Sequence, residues 1–263
     1  MTTDTIQSFA RMLIIEAGSK IRASLDGDIW ISSKSNVNDL VTNIDQDIEK
    51  FFIQRIKESY PTHRVMGEEG FGDSVESLEG VVWILDPIDG TMNFIHQKRN
   101  FAISLGIYMD GKPAFGFVFD VMLEELYEAE KGQGAYLNGK PIPPLEEAHL
   151  SEALVGMNAS WSIPNKRIEH DGMIQLVRDV RGIRSYGSAA LETVYVATGR
   201  LDAYMSMRLN PWDIAGGRII AEEVGAVVTN LRGNELTMVD KDTFFIANKS
   251  IHRQIIEKYI RLK

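Results

Sequence analysis

The sequence predicts an α+β half followed by an α/β half, and three observations carry this. Downstream of two helical segments, strand-like runs follow one another across hairpin signals from Phe101 to Leu137. From Leu154 onward, strand-like and helical segments alternate. Between them, Pro141 to Pro144 and the acidic Glu146-Glu147 mark a joint, dividing the chain into residues 1–144 and 145–263.

Ile6, Phe9, Ala10, Leu13, Ile14 and Ala17 recur at helical spacing, giving a first helix that ends near Gly18 or somewhat later. Asp28 to Ile31 reads as a short strand or irregular piece, and Lys34 to Val41 as a polar, mobile loop, either plainly solvated or part of the site. Helical periodicity resumes at Thr42 or Asn43 through Ile48, Phe51, Phe52, Ile56 and Tyr60, with Pro61 as the stop. Arg64 to Met66 and Val81 to Leu85 are strand-like, the second ending at Asp86-Pro87 because proline cannot continue a sheet ladder. Phe101 to Tyr108 and Pro113 to Val121 flank Asp110-Gly111, a hairpin signal. Glu125 to Glu130 and Ala135 to Leu137 add strands around Gly132 and Gly134. In the second half, strands are expected at Leu154 to Asn158, Ile183 to Tyr186, Leu201 to Met205, Val227-Val228 and Phe244 to Asn248. Helices are expected at Asn165 to Val180, Ala189 to Thr198, Trp212 to Val224 and Ile251 to Leu262.

The chain has 263 residues, 44% of them hydrophobic and 25% charged, which is ordinary for a globular protein with a sizeable core. Its formal net charge of −9 argues against nucleic acid as the main partner, because phosphate-backbone binding relies on basic surface. With no cysteine there is neither disulfide nor thiolate chemistry. Met1 to Arg11 lacks the basic and apolar regions of a signal peptide, and no apolar run approaches a membrane span. These features predict a cytoplasmic protein without a membrane partner.

The chain is organised around Val81 to Phe94. There an apolar run delivers Asp86 and Asp89 to a strand end, where open α/β sheets bind ligands. Gly90 permits backbone geometry that a side chain would obstruct, and a helix can open just after it. Upstream stands Met66-Gly67-Glu68-Glu69-Gly70, and far downstream Pro211-Trp212-Asp213 opens another helix at an acid. If Glu68, Asp86, Asp89 and Asp213 converge without a cation they repel, by ~4 kcal/mol per pair at about 4 Å and an effective dielectric near 20. Hard oxygen donors of this kind suit Mg²⁺ or Mn²⁺ rather than zinc, and the five histidines show no zinc-site pairing.

Four motifs in order resemble the inositol monophosphatase family. Trp83 to Thr91 matches its hydrophobic run into D-P-[I/L/V]-D-G-T, and Trp212 to Gly216 matches W-D-x-A-G. Gly67-Glu68-Glu69 and the stretch Lys34-Ser35 … Asp39-Leu40-Val41-Thr42 … Asp45 complete the set, which spans nearly the whole chain. The haloacid-dehalogenase motif D-x-D-G-T differs in spacing, since Pro87 and Ile88 together separate the two aspartates here.

The resemblance implies a layered α-β-α-β-α sandwich of the inositol monophosphatase and fructose-1,6-bisphosphatase type. It also implies a metal-dependent phosphomonoesterase acting on inositol monophosphate and other small phosphate esters by direct attack of water. An NADP(H) phosphatase or fructose-1,6-bisphosphatase of the same family is the alternative, and a non-catalytic regulatory member a further one. Glu68, Asp86 and the Ile88 carbonyl would hold one Mg²⁺, and Asp86, Asp89 and Asp213 a second; a third would lean on Glu68. Thr91 with Asp45 would orient the attacking water and take up its proton. Ile88, Asp89, Gly90, Thr91 and Asp213 would face the phosphate, and Gly187, Ser188 and Ala189 the remainder of the substrate. Lithium sensitivity and a homodimer follow from the same resemblance. Inositol-preferring members carry an acid seven positions before the W-D aspartate; here that position is Ser206, with Arg208 two residues on.

Overall fold

The computed structural model describes residues 3–27, 29–33 and 40–263. The first half contributes α1 (Thr3–Ser24), β1 (Ile31–Ser33), β2 (Leu40–Thr42), α2 (Asn43–Ser59), β3 (Arg64–Gly67), β4 (Val81–Asp89) and α3 (Thr91–Gln97). A meander follows: β5 (Ala102–Met109), β6 (Lys112–Asp120), β7 (Glu125–Glu130), β8 (Ala135–Leu137) and β9 (Lys140–Pro141). Next come β10 (Leu154–Met157), α4 (His170–Asp179), β11 (Gly182–Arg184), α5 (Ala189–Ala197), β12 (Ala203–Leu209) and α6 (Pro211–Glu223). The chain closes with β13 (Ala226–Thr229), β14 (Asp242–Asn248) and α7 (Lys249–Tyr259).

The strands form two large sheets. One has seven strands in the order β3 to β9, antiparallel except for β3 beside β4. The other has five in the order β11-β10-β12-β14-β13, where β10 is parallel to both neighbours and the remaining pairs are antiparallel. Alternation along each strand sorts side chains into three cores. Trp83 and Leu85 of β4 pack under α1 and α2, whereas Val82 and Ile84 face α5 and α6. On the second sheet, Tyr204, Phe244 and Ile246 join α5 and α6 from the other side, and Met205, Phe245 and Ala247 face α4 and α7. Helices, sheet, helices, sheet and helices are therefore stacked in five layers, the sandwich that the resemblance implied.

The α5–α6 layer sits tight against the first sheet. A Cβ on Gly216 would lie 2.3 Å from the Phe117 carbonyl oxygen, and one on Gly106 would lie 2.7 Å from the Ala215 Cβ. Only glycine allows helix and sheet backbones to approach so closely.

Several element ends differ from the sequence expectation. α1 takes the later of its two expected ends, at Ser24, because Gly18 lets the helix cross Phe119, whose ring would lie 2.3 Å from a Cβ there. β4 does not stop at Asp86-Pro87. Asp86 pairs with Ser104 and Asp89 with Ala102, so a bulge absorbs the proline and pairing resumes beyond it. α4 starts at His170 rather than Asn165, because the Asn165 side chain accepts from the Arg167 and Ile168 amides and folds the chain into a turn. α7 ends at Tyr259 as Leu262 leaves to bridge Ile168. β12 begins two residues later than expected and runs on to Leu209. Of the loop expected over Lys34 to Val41, residues 34–39 lie outside the described residues, Lys34, Ser35 and Asp39 among them. Among the described residues, no helix is long and apolar enough to cross a membrane.

Candidate active site

The bulge in β4 turns three successive features toward one place. Asp86 and Asp89 are 1% and 7% exposed. The Asp86 Oδ1 accepts the Ile88 amide at 3.0 Å, which fixes the bulge and leaves the Ile88 carbonyl 3.2 Å from the Thr91 hydroxyl oxygen. Gly90 takes φ 97°, and α3 starts from it. Across the layer, Asp213 stands in the first turn of α6, where its Oδ2 accepts the Asn210 amide at 2.8 Å in a capping box. A carboxylate there is also favoured by the helix dipole.

Asp86, Asp89 and Asp213 each place a carboxylate oxygen within 4.8 Å of the others. Burial pushes all three carboxyls up, Asp89 to about 6 and the other two well above the ordinary carboxylate range. Their mutual repulsion and that of Glu68 add to the effect at Asp86, which also shares a hydrogen bond with the Glu68 side chain. Buried acids that repel one another, with only oxygen donors around them, fit a hard divalent cation. Glu68 flanks this trio on the turn after β3, its amide donating to the Leu85 carbonyl at 3.3 Å.

On the α2 side, Asp45 is fully buried. Its Oδ1 accepts the Thr91 hydroxyl at 3.1 Å, and its Oδ2 accepts the Thr42 amide at 2.9 Å and the Thr42 hydroxyl. Burial pushes the Asp45 carboxyl up to about 6 against the pull of these hydrogen bonds.

On the α5 side, Gly187 takes φ 77° and faces Gly90. A Cβ on Gly90 would come within 3.2 Å of the Gly187 carbonyl oxygen. The Ser188 hydroxyl and the Ala190 amide, at 2.8 Å for the latter, both donate to Asp89 Oδ2, so Ala189 and its neighbours open α5 on that carboxylate. Ser206 lies half-buried on β12, its hydroxyl accepting from the Arg208 amide at 3.4 Å. Glu68, Asp86, Asp89, Thr91, Asp45, Ser188 and Asp213 are thus linked by direct hydrogen bonds or electrostatic reach. Lys34 falls outside the described residues.

Three further residues shape the site. Glu49, one turn beyond Asp45 on α2, is fully buried and accepts the amides of Glu69 at 2.6 Å and Phe71 at 2.8 Å. It anchors the turn that carries Glu68, and a Cβ on Gly67 would strike its carboxylate at 2.4 Å. Asn93 donates to the Asn100 and Tyr186 carbonyls at 2.7 and 2.6 Å, tying α3 to the turn before Ser188. Glu192 on α5 accepts the Tyr186 amide at 3.1 Å from the other side. The acid pair Asp45 and Glu49, four apart on one helix face, was the visible signal for the first. Asn93 and Glu192 had none.

The chain has close relatives among known proteins. An inositol-1-monophosphatase of Bacillus subtilis is 50% identical over 98% of this chain and 97% of its own. The crystal structure of inositol monophosphatase-II from Staphylococcus aureus superposes with a TM-score of 0.90 at 44% identity, covering 97% of this chain and 93% of that one. A structure of an IMPase/NADP phosphatase complexed with Mg²⁺ and phosphate gives a TM-score of 0.90 at 28% identity, over 98% and 95% of the two chains. The model of the inositol monophosphatase family matches residues 2–262, and with its sandwich fold and its acidic cluster the chain belongs to that family of metal-dependent phosphatases.

Proposed function

We propose that this phosphatase hydrolyses inositol monophosphate and other small phosphate esters, NADP and sugar bisphosphates among them, with Mg²⁺ as its cation. The observation that carries the reading is the convergence of Asp86, Asp89 and Asp213 within 4.8 Å, beside a Thr91–Asp45 hydrogen bond of 3.1 Å. Glu68, Asp86 and the Ile88 carbonyl would hold one ion, and Asp86, Asp89 and Asp213 a second, with Mn²⁺ an alternative occupant. A third would lean on Glu68. Bound there, Mg²⁺ supplies Lewis acidity toward the phosphoryl oxygens and the leaving oxygen.

The chain's own groups do the rest. With its proton directed at Asp45, the Thr91 hydroxyl presents a lone pair to a water and orients it toward phosphorus. As the water's oxygen bonds to phosphorus, its proton passes to Asp45 through Thr91, and the ester P–O bond breaks to release the alkoxide, which takes a proton from solvent water and leaves as the alcohol. Gly90 and Thr91 face the phosphate, and Gly187, Ser188 and Ala189 line the other side of the substrate. Ser206 gives a neutral contact where a carboxylate would grip a polyol more firmly, which favours a permissive enzyme; hydrogen bonds to charged groups contribute ~1.5–3 kcal/mol against about 1 for neutral ones.

On this reading the site lies where residues 1–144 meet residues 145–263. The family resemblance supports a homodimer, and the net charge of −9 suits a cytoplasmic enzyme. Light scattering on purified protein checks the dimer. A phosphate-release panel with inositol 1-phosphate, fructose 1,6-bisphosphate, NADP and 3′-phosphoadenosine phosphate, run with Mg²⁺ and with EDTA, tests the activity. Turnover that persists in EDTA, or a hundredfold preference for inositol 1-phosphate over every other compound, overturns the metal or the permissive part respectively.

A further inference from the structure

Between the end of β11 at Arg184 and the start of α5 at Ala189 the chain runs as an irregular turn past the candidate site. β11 is an edge strand, so no sheet ladder continues into this turn. Its backbone groups must find partners elsewhere, and those of Tyr186 find them on two side chains. The Tyr186 N–H donates to Glu192 at 3.1 Å, and the Tyr186 carbonyl accepts from Asn93 Nδ2 at 2.6 Å. Both side chains are buried, Glu192 at 4% and Asn93 at 7% exposure. The Tyr186 ring is held as well, edge-on against Tyr195 with centroids 5.0 Å apart.

The two side chains reach Tyr186 from opposite halves of the chain. Asn93 stands on α3, two residues after Thr91, and its amide is fully used. Nδ2 also donates to the Asn100 carbonyl at 2.7 Å, and Oδ1 accepts from Gln97 at 3.1 Å. Glu192 stands in the first turn of α5, one turn beyond the Ser188 that donates to Asp89. Asn93 therefore sets how far the Gly90–Thr91 side of the site lies from the Gly187–Ala189 side. The fit is close, since a Cβ on Gly187 would come within 3.2 Å of Asn93 Nδ2. Gly187, at φ 77°, is the freest link of the turn, and its order has to come from its neighbours. Ser188 is fixed by Asp89, and Tyr186 by Asn93 and Glu192.

We propose that Asn93 and Glu192 are positioning residues that clamp Tyr186, so that the turn Gly187–Ala189 meets the alcohol part of the substrate as a rigid surface. This rests on the phosphatase reading above, in which that turn lines the substrate. Neither residue belongs to the metal set or touches phosphorus. Their effect is on selection: the clamp favours esters of bulky polyols, which can lie against the turn, over those of small alcohols, which cannot. A rigid wall aligns the leaving oxygen with the attacking water, and a displacement of about 1 Å in such a wall can cost up to ~100-fold in rate.

Inositol 1-phosphate and methyl phosphate test it, because methyl phosphate has no ring to lay against the turn. The wild type should favour the first by at least ~10-fold in kcat/KM. Glu192→Met exchanges the acid for an apolar chain of similar length, and Asn93→Ala removes both donors. Each should lower kcat/KM for inositol 1-phosphate by ~10-fold or more, while methyl phosphate turnover and the Mg²⁺ requirement stay within about threefold of wild type. Glu192→Gln keeps an oxygen for the Tyr186 amide and should restore most of the preference. If circular dichroism shows that Asn93→Ala does not fold, the two Glu192 variants decide alone. Equal loss on both esters, or a raised Mg²⁺ requirement, overturns the proposal and makes the clamp a general support of the site. A wild type without preference, or a preference that survives in Glu192→Met, overturns it too. Loss in Glu192→Gln as deep as in Glu192→Met assigns the effect to charge and overturns the clamp. Failure of the wild type to release phosphate from either ester is a different result: it strikes the phosphatase reading, and the clamp's role falls with it.

Discussion

The Thr91 hydroxyl lies 3.1 Å from the Asp45 carboxylate, although the two residues are 46 positions apart. One stands at the first position of α3 and the other in the first turn of α2, so two helix starts meet over the acidic trio. The capping box of α2 occupies the second Asp45 oxygen, which leaves Oδ1 aimed at Thr91.

That geometry predicts a separable effect of Thr91→Ala. Removing the hydroxyl deprives the water of its orienting contact and its proton path, which matters in the transition state more than in binding. We expect kcat to fall by roughly 100-fold with KM within about threefold, and Thr91→Ser to restore most of the turnover. Steady-state kinetics on inositol 1-phosphate decide it. A changed KM with normal kcat would reassign Thr91 to phosphate anchoring.

The acidic trio predicts opposite effects of one substitution on stability and activity. In EDTA the three buried carboxyls repel one another, so Asp213→Asn should melt at or above the wild-type temperature. Added Mg²⁺ should raise the wild-type midpoint and barely move that of the variant, because a ligand that binds only the folded state stabilises it by mass action. Activity should be almost abolished. Thermal melts with and without Mg²⁺ check this; an equal Mg²⁺ gain in both proteins would remove Asp213 from the metal set.

Much of this site was legible because its chemistry sits in short contiguous motifs. Asp86 to Thr91 and Trp212-Asp213 are local signals, and their strand-to-helix settings follow from apolar runs, Pro and Gly. The supports were far less legible, the four-residue spacing of Asp45 and Glu49 being their one visible sign. Asn93 contacts Tyr186 across 93 residues, and Glu49 contacts Phe71 across 22. No periodicity encodes such pairings. The same holds for element ends: Pro87 reads as a strand stop until the partner strand absorbs it in a bulge, and Asn165 reads as a helix start until its side chain captures the next amides.

Packing at Gly216 predicts a mutation that acts on the site from outside it. A Cβ there would lie 2.3 Å from the Phe117 carbonyl and 2.7 Å from that of Leu105, both backbone atoms of the sheet. Gly216→Ala should therefore push α6 off β5 and β6 and cost ~1–3 kcal/mol by overpacking. Since α6 carries Asp213, the Mg²⁺ concentration for half-maximal activity should rise as well. Denaturant unfolding and a metal titration measure the two effects. An unaltered metal requirement in a destabilised variant would show that helix placement and metal affinity are independent.

Glu192 supplies the last prediction, about pH. It is 4% exposed and accepts the Tyr186 amide at 3.1 Å, and burial pushes its carboxyl from an ordinary 4.5 up to about 8. Below pH 4.5 the group is neutral in both folded and unfolded chains and costs nothing. As pH rises above that value the unfolded carboxyl ionises while the buried one holds its proton, so stability declines until the folded group also ionises near pH 8 and then levels off. Glu192→Gln keeps an oxygen for the Tyr186 amide and has no proton to lose. The two proteins should be alike near pH 5, and by pH 8.5 the variant should be more stable by roughly 1–3 kcal/mol, the scale of a buried polar group left without full compensation. Asp45, Asp86, Asp89 and Asp213 are also raised and tilt both curves in the same direction, so the informative quantity is the difference between wild type and variant. Urea unfolding across this pH range measures it. A difference that stays flat with pH would mean that Glu192 ionises in its ordinary range, its charge being met by the Tyr186 amide after all.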